Sequence, residues 1–264
     1  MLTYESLLEE AKLRGMPGNK LRGILREYLQ VIILKIIYRT NSGKNLAFTG
    51  GTCLRLAYGL KRFSEDLDFE SNNITTKEFE NLIQKISHEL NRIGIKSNVG
   101  IKSWANVCSS KISFPDIELL YKVKSKFMTK KGLVIKVEVC KPKYQIKKDT
   151  EVITGFGEFF PCIILDRGIM LANKTDAFLN KDKGRHIYDL VFMLSNEFPL
   201  NKNVLTKVSG SSDFKGLILN RLKKLNKPAL KKMSENLQPF LFEEFESHLI
   251  NDVKTIVPKL LLRY

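Results

Sequence analysis

Residues 50–69 of the chain are GGTCLRLAYGLKRFSEDLDF. It begins with two glycines, continues through apolar residues at helical spacing, and ends with two aspartates that alternate with Leu67 and Phe69. Such alternation is typical of a strand with one buried face, so Asp66 and Asp68 are predicted to share the other face. The stretch therefore predicts a glycine turn, a helix, a loop and a strand that carries paired carboxylates.

These glycines and aspartates suit the chemistry of a nucleoside triphosphate. Gly50 and Gly51 let the backbone approach phosphates, which can accept hydrogen bonds from the next helix's amides and from the hydroxyl of Thr52. Paired carboxylates can hold Mg²⁺ or Mn²⁺, since hard cations prefer carboxylate oxygens together with substrate phosphates. Glu138, on a predicted strand at 133–140, is the candidate third metal ligand. Taken singly, a double glycine or a D-x-D pair is also typical of an ordinary turn or strand end.

The glycine turn, helix and D-x-D pair together resemble the polymerase-β-like nucleotidyltransferase superfamily. Within it, G-G-T-x-L-R-L-A-Y-G-x-x-R-x-S-x-D-L-D-F is similar to the AbiEii/AbiGii toxin family. A second block, LANKTDAF at 171–178 followed by GRHIYDL at 184–190, is similar to that family's C-terminal helical motif. Lys174 and Asp189 match the functional positions of this motif.

The candidate site residues follow from the residue chemistry and the resemblance together. The predicted metal ligands are Asp66, Asp68 and Glu138; the predicted catalytic residues are these three with Lys174 and Asp189; and the predicted nucleotide-binding residues are Gly50, Gly51, Thr52, Arg55, Arg62 and Ser64. For the last three, bracing the loop is an equally good interpretation, because arginine offers a rigid fork of donors to any acceptor.

Two further observations bear on the helical motif. Without the resemblance, Lys174 and Asp189 would be assigned to an ordinary salt bridge between neighbouring helices. Asn173 and His186 depart from the family, which commonly has Glu and Asp at these positions. A lone histidine on a helix is more often a packing residue than an acid or base, so no role is assigned to His186.

Composition limits the class of protein. The 264 residues carry a formal net charge of +16 and are 43% hydrophobic, which excludes wholesale disorder. The excess charge is concentrated in 121–148, with ten lysines and one acid, and in 201–233, with nine basic residues and one acid. Clustered lysines favour a polyanion such as RNA as partner, although a generally lysine-rich surface is the alternative.

Other classes are excluded by what the sequence lacks. Four widely spaced cysteines argue against a zinc site, and no nucleophile arrangement or dinucleotide-binding motif emerges. No apolar run approaches the roughly 20 residues of a membrane span, and the start of the chain does not resemble a secretory signal. We therefore expect no membrane association and a cytoplasmic location.

The predicted fold class is α+β. Residue patterns predict helices that begin near Thr3, Asn19 and Thr75, strands at 95–101, 107–114 and 133–140, and helical structure after Pro161 that includes helices at 166–180 and 234–249. Residues 1–161 are expected to form a nucleotidyltransferase domain with a mixed sheet and N-terminal helices, and 162–264 a helical domain that contributes Lys174 and Asp189 to the cleft. The expected activity is Mg²⁺-dependent transfer of a nucleoside monophosphate from an NTP to an acceptor hydroxyl. The resemblance implies a toxin of a toxin–antitoxin or phage-defence system that acts on RNA, with tRNA 3′ ends as acceptor. Transfer to a protein or small molecule, or a non-catalytic RNA- or nucleotide-binding scaffold, are the alternatives.

Overall fold

The computed structural model describes residues 1–104, 106–123 and 132–264, so the predicted basic stretch at 121–148 lies partly outside the described residues. The chain groups into two compact units. The first comprises Met1–Gly59, Phe63–Pro142 and Lys148–Ile164, and the second comprises Leu60–Arg62, Lys143–Lys147 and Leu165–Tyr264. Within the described ranges, no helix is both long and apolar enough to cross a membrane.

The first unit is built around one mixed sheet. Its helices and strands are α1 (Tyr4–Leu13), α2 (Leu21–Tyr38), β1 (Ala47–Thr49), α3 (Gly50–Tyr58), β2 (Leu67–Glu70), α4 (Thr76–Arg92), β3 (Asn98–Trp104), β4 (Val107–Phe114), α5 (Ile117–Leu120), β5 (Leu133–Cys140), β6 (Lys148–Gly155) and β7 (Glu158–Leu165). The described strands form a seven-stranded sheet in the order β3-β4-β5-β2-β1-β7-β6. Parallel pairs β2–β5 and β1–β7 combine with antiparallel pairs, which confirms a mixed α+β architecture.

Strict alternation along β5 gives the sheet two different faces. Its buried residues are Leu133, Ile135, Val137 and Val139, and its half-exposed residues are Val134, Lys136, Glu138 and Cys140. Helices α2 and α4 contact strands of this sheet, and α4 carries a buried apolar stripe along one side. The apolar face of β5 therefore belongs to the core, while its polar face is left for chemistry.

Local sequence signals explain how several helices begin. Thr75 caps α4 through a capping box with Glu78, and Thr3 caps α1 by accepting a hydrogen bond from the amide of Ser6. Both helices were predicted near these positions. The predicted cap of α2 at Asn19 is wrong, because the helix begins after Lys20 and has no side-chain cap.

The second unit is helical. Its helices are α6 (Arg167–Asn180), α7 (Gly184–Ser195), α8 (Lys202–Ser209), α9 (Phe214–Lys224), α10 (Lys227–Leu237) and α11 (Val253–Leu260). The short segment 60–62 joins this unit through an antiparallel bridge between Arg62 and Leu241 and a hydrogen bond from the amide of Phe242 to the carbonyl of Lys61 at 3.1 Å. This placement puts Arg62 among the helices of the second unit.

Three sequence predictions of secondary structure are corrected, and one hairpin was missed. Strand β3 covers 98–104 rather than the predicted 95–101, and the predicted helix at 234–249 is replaced by α10 and short 3-10 turns. The helical region predicted after Pro161 begins later than expected, because β7 extends to Leu165, but the helix predicted at 166–180 is confirmed as α6; the β6–β7 hairpin was not predicted. Proline is compatible with the β1 side of this strand, because β7 pairs with β1 at Ile164, beyond the proline.

Candidate active site

The first feature of the site is the close packing of Gly50 against Asp68. Gly50 begins α3 with a φ of +78°, a left-handed conformation that favours glycine. A Cβ atom at this position would lie 2.5 Å from Oδ2 of Asp68, and a side chain would therefore displace the carboxylate. Thr49, which precedes the helix, gives it no side-chain cap. The start of α3 is thus held beside the carboxylate of Asp68.

The register of the sheet brings Glu138 next to Asp68. Strands β2 and β5 pair in parallel with Asp68 opposite Glu138, and the side chains of such partners point to the same face. Lys136 forms an ion pair with Glu138. Partial burial opposes the charged form of Lys136, but the hydrogen bond and charge of Glu138, together with the charges of Asp66 and Asp68, outweigh it and raise the pKa of this lysine.

The thiol of Cys140 also interacts with these carboxylates. Burial raises the pKa of the Cys140 thiol to about 11, and the neighbouring charges of Glu138, Asp68 and Glu70 act in the same direction. Cys140 has no disulfide partner and lies on β5, two residues after Glu138. The polar face of β2 and β5 therefore has a negative potential that Lys136 partly balances.

The donors on this face suit a hard cation, but they do not form a ready-made cluster. Within the part of the chain that the structure describes, no group of three His, Cys, Asp or Glu side chains is placed to hold a metal ion. Asp66 and Asp68 supply carboxylate oxygens, and magnesium is commonly held by one or two carboxylates with the rest from water and phosphate. Glu138, paired with Lys136, stays a predicted third ligand.

The predicted nucleotide-binding residues of the first unit have structural contacts. The hydroxyl of Thr52 donates to the carbonyl of Asp66 at 2.5 Å, which ties the first turn of α3 to the residue before β2. Nε of Arg55 donates to the buried carboxylate of Glu27 at 3.0 Å. The carbonyl of Ser64 accepts a hydrogen bond from the side-chain amide of Gln30 at 3.1 Å. These contacts agree with the interpretation that Arg55 and Ser64 stabilise the segment between α3 and β2.

In the second unit, three predicted site residues form one buried network. Arg62 donates from Nε and Nη2 to the two oxygens of Asp189, and both distances are 2.7 Å. Nζ of Lys174 on α6 donates to Oδ2 of Asp189 on α7, also at 2.7 Å. Burial alone would raise the pKa of Asp189, but the two cations outweigh it and hold that pKa well below its usual range. The carboxylate is therefore charged at neutral pH.

The two departures from the helical motif have distinct surroundings. The side-chain amide of Asn173 donates to the hydroxyl of Tyr144 at 2.6 Å, which connects α6 to the segment 143–147. His186 is buried, and neither ring nitrogen has a hydrogen-bond partner among the described residues. Burial, with the nearby charge of Lys174, lowers the pKa of His186 to about 3. The ring is neutral at physiological pH, in agreement with a packing role.

A family model described as "Nucleotidyl transferase AbiEii toxin, Type IV TA system" matches residues 32–256 of this chain. The match covers both units. The chain belongs to the AbiEii family. It is therefore a nucleotidyltransferase of the toxin class, as the motifs at 50–69 and 171–190 predicted. A comparison with curated proteins found no significant match.

Solved structures with this fold include other nucleotidyltransferases. JHP933 from Helicobacter pylori is 20% identical, with 91% of this chain and 94% of that chain covered and a TM-score of 0.51. A putative nucleotidyltransferase from H. pylori is 20% identical, with coverages of 90% and 96% and a TM-score of 0.52. MenT4, a nucleotidyltransferase toxin from Mycobacterium tuberculosis H37Rv, is 14% identical, with coverages of 97% and 99% and a TM-score of 0.51. At sequence identities of 14–20%, the similarity to these structures shows a shared fold and nothing further.

The structure adds two residues that motif reasoning in this AbiEii member missed. Lys136 contacts Glu138, and its alternation with Val137 in β5 was a signal that could have placed both on one face. Glu27, in α2, is 2% exposed and pairs with Arg55 at 3.0 Å. A buried acid inside an otherwise apolar helix indicates a paired charge, although its partner could not be named from spacing.

Proposed function

We propose that this AbiEii-family protein transfers a nucleoside monophosphate from an NTP to an acceptor hydroxyl of RNA and releases pyrophosphate, with the 3′ end of tRNA as acceptor. In this proposal the reaction depends on Mg²⁺, which Mn²⁺ can replace, and takes place in the cytoplasm. Because the matching family is described as a type IV toxin–antitoxin system, we also expect a cognate antitoxin. Toxicity and phage defence would then follow from modification of RNA.

The observation that carries the proposal is the contact between Gly50 and Asp68. Amides at the start of a helix are donors for phosphate oxygens, and a carboxylate beside them can hold the cation that accompanies a triphosphate. The left-handed Gly50 allows both groups to occupy one small region, since a Cβ atom there would lie 2.5 Å from the carboxylate. A pairing of phosphate donors with a cation ligand is the requirement of phosphoryl-type transfer.

The proposed step forms one bond and breaks one. The oxygen of the acceptor hydroxyl attacks the α-phosphorus, the bond from that phosphorus to the bridging oxygen breaks, and pyrophosphate leaves. Glu138, beside Asp68 in the sheet register, accepts the proton of the hydroxyl. Bound Mg²⁺ would neutralise the charge that develops on the phosphates. Lys174 and Asp189 keep the catalytic roles that the resemblance gives them.

The test uses purified full-length protein, Mg²⁺, total RNA and each α-labelled NTP in turn. We expect label in a band of tRNA size with the wild type, and at least about 100-fold less with Asp66→Ala or Asp68→Ala, since a metal clamp contributes several kcal/mol to barrier lowering. Glu65→Ala is the matched control, because Glu65 is a neighbouring acid that pairs with Arg26 at 3.2 Å.

Each other outcome contradicts a defined part of the proposal. Label on protein rather than RNA would reassign the acceptor while leaving nucleotidyl transfer intact. Transfer that survives in EDTA would contradict the cation requirement. Equal loss of transfer in Glu65→Ala and Asp66→Ala would show that the loop, rather than the metal ligand, matters.

A further inference from the structure

A groove on the polar face of the sheet lies beside the candidate active site. Its volume is about 620 Å³, and it is formed by the outer strands β3, β4 and β5 of the first unit. The residues that line it are Asn98, Val99, Gly100, Ile101, Lys102, Trp104, Ser109, Lys111, Ser113, Val134 and Lys136.

The groove is positively charged. Lys102, Lys111 and Lys136 line it, and none of its lining residues is acidic. Lys102 and Lys111 are exposed, and their ammonium groups are accessible to a ligand. A surface with three cations and no acid of its own is complementary to a polyanion.

Sheet register connects this groove directly to the carboxylates. Lys102 on β3 pairs with Ser109 on β4, Ser109 pairs with Glu138 on β5, and Glu138 pairs with Asp68 on β2. Partners across a sheet point to the same face, so these residues form one row. The row crosses three strand spacings, about 14 Å at roughly 4.8 Å per strand. The groove therefore adjoins the proposed metal ligands, since Glu138 lies on β5 and Asp68 on the next strand.

An aromatic side chain lines the groove on the edge strand β3. Trp104 is 56% exposed, although tryptophan is usually buried, and it lies on the same side of β3 as Lys102 and Gly100. At Gly100 a Cβ atom would meet nothing within 4 Å, so the floor of the groove is open to a flat group. An exposed indole above an open floor is suited to stacking on a nucleobase.

We propose that this groove binds the single-stranded 3′ end of the acceptor RNA and directs its terminal hydroxyl toward Asp68 and Glu138. Lysines on β3 and β4 contact successive phosphates, and Trp104 stacks on a base of the same strand. The groove crosses β3, β4 and β5, which is two strand spacings or about 10 Å, and this is enough for about three stacked nucleotides at ~3.4 Å per nucleotide. The inference rests on the proposed function for the identity of the ligand, and on the groove itself for its place.

The features of the groove favour a nucleic-acid strand over an acidic peptide. Lysines alone would suit either partner, because both carry negative charge. The indole distinguishes them, since stacking on a base contributes about 1–3 kcal/mol and has no counterpart in a chain of carboxylates. Duplex RNA is disfavoured because its bases are already stacked on one another and cannot contact Trp104.

The sole tryptophan of the sequence makes the proposal directly measurable. Titration of the full-length protein with an eight-nucleotide single-stranded oligoribonucleotide is expected to quench the fluorescence of Trp104 and to saturate. The same sequence as a blunt duplex, and poly-glutamate of equal length, are expected to leave the emission unchanged. Saturable quenching by poly-glutamate at equal affinity, or no quenching by the single strand, would overturn the proposal.

Charge-reversal variants test which lysines bind. The double variant Lys102→Glu with Lys111→Glu is expected to weaken binding of the oligoribonucleotide by about tenfold or more. The matched control is Lys77→Glu with Lys85→Glu, which changes the net charge equally on exposed positions of α4. Its affinity is expected to stay within about twofold of the wild type. Equal weakening by the two double variants would show that net charge, and not the groove, determines binding.

The indole is tested separately by its effect on kinetics. With RNA as the varied substrate, Trp104→Ala is expected to raise KM by about tenfold with little change in the KM for NTP, and Trp104→Phe is expected to restore most of the loss. Circular dichroism checks that each variant is folded. If Trp104→Ala left the KM for RNA unchanged, the stacking role would be wrong.

Failure of this proposal can be separated from failure of the proposed function. Quenching of Trp104 requires neither NTP nor a divalent cation. Quenching by single-stranded RNA without any nucleotide transfer would support the proposed RNA groove and contradict the proposed reaction. Labelling of RNA without quenching of Trp104, at the same rate in the Lys102→Glu and Lys111→Glu double variant, would support the proposed reaction and contradict the proposed RNA groove.

Discussion

Arg62 and Asp189 form a buried bidentate ion pair across 127 positions of the sequence, with both nitrogen–oxygen distances at 2.7 Å. Their side chains are 3% and 0% exposed. Lys174 adds a third hydrogen bond to the same carboxylate. Since a buried charge is costly without its partners, this network couples the short segment 60–62 to helices α6 and α7 within the second unit.

Removal of the central carboxylate is expected to destabilise the protein strongly. Asp189→Ala leaves two cations without their shared partner, and a loss of about 3–5 kcal/mol in the free energy of unfolding is expected. Asp182→Ala is the matched control, because Asp182 pairs with Arg221 but is 69% exposed, and a loss of about 0–1 kcal/mol is expected. Urea denaturation measures both values. Similar small losses would mean that the buried network contributes little to stability.

The buried histidine is expected to make stability depend on pH. The pKa of His186 is lowered to about 3 in the folded protein, whereas an unfolded histidine titrates near about 6.5. Above pH 6.5 both states are neutral and the group contributes nothing. Below it the unfolded state binds a proton that the folded state does not, so stability falls as pH falls, by about 2 kcal/mol at pH 5.

Replacement of His186 tests whether this residue lowers the stability of the protein as the pH falls. His186→Leu is expected to reduce the difference in unfolding free energy between pH 7 and pH 5, measured by urea denaturation at each pH. His88→Leu is the control, since His88 is 71% exposed, and the pH dependence should persist in it. A difference between pH 7 and pH 5 that is as large in His186→Leu as in the wild type would contradict the assignment.

Two glycines with the same positive φ allow the effect of backbone strain to be distinguished from a specific loss of function. Gly50 and Gly59 both have a φ of +78°, but only at Gly50 would a Cβ atom meet Asp68, whereas at Gly59 it would meet nothing within 4 Å. Each alanine variant is expected to lose about 1–2 kcal/mol of stability through the left-handed backbone. Nucleotidyl transfer should fall at least about tenfold in Gly50→Ala and stay near the wild-type rate in Gly59→Ala. Equal rates in the two variants would show that the Gly50–Asp68 contact is unimportant.

Lys136 is expected to compete with a divalent cation for the carboxylates. Its ammonium pairs with Glu138 and interacts with Asp66 and Asp68, so Lys136→Met removes a positive charge that repels the cation. Binding of Mn²⁺ to the protein without NTP, followed by electron paramagnetic resonance, is expected to tighten several-fold. Lys77→Met, on the exposed side of α4, serves as control. Weaker binding in Lys136→Met would instead indicate that this lysine orders the site.

Local signals were sufficient for the elements that carry the carboxylates. The predicted strands at 107–114 and 133–140 are confirmed with the same bounds, and burial alternates strictly along the second. β6 was missed because it is exposed along most of its length and Ile153 is its single buried residue, so it lacks an alternating pattern. Helix α10 was placed too late, although Asn226 and Pro228 are good start signals.

The contacts of the site were less predictable than its residues. The spacing of Asp66 and Asp68 predicts a shared face, but the position of Glu138 opposite Asp68 depends on the pairing of β2 with β5, which no spacing specifies. Arg62 illustrates the same limit. It lies inside the glycine motif, yet its partner Asp189 belongs to the other motif, and the sequence contains no signal that connects them.

The assembly of the second unit from three separate segments also has a consequence for synthesis. Arg62 leaves the ribosome 127 residues before Asp189, a delay of roughly 6–25 s at about 5–20 residues per second. Throughout that interval the guanidinium has no carboxylate of α7 to bind, so the segment 60–62 cannot reach its final place while the chain is incomplete. A nascent chain therefore acquires Lys174, Asp189 and Arg62 in their final arrangement only late in translation.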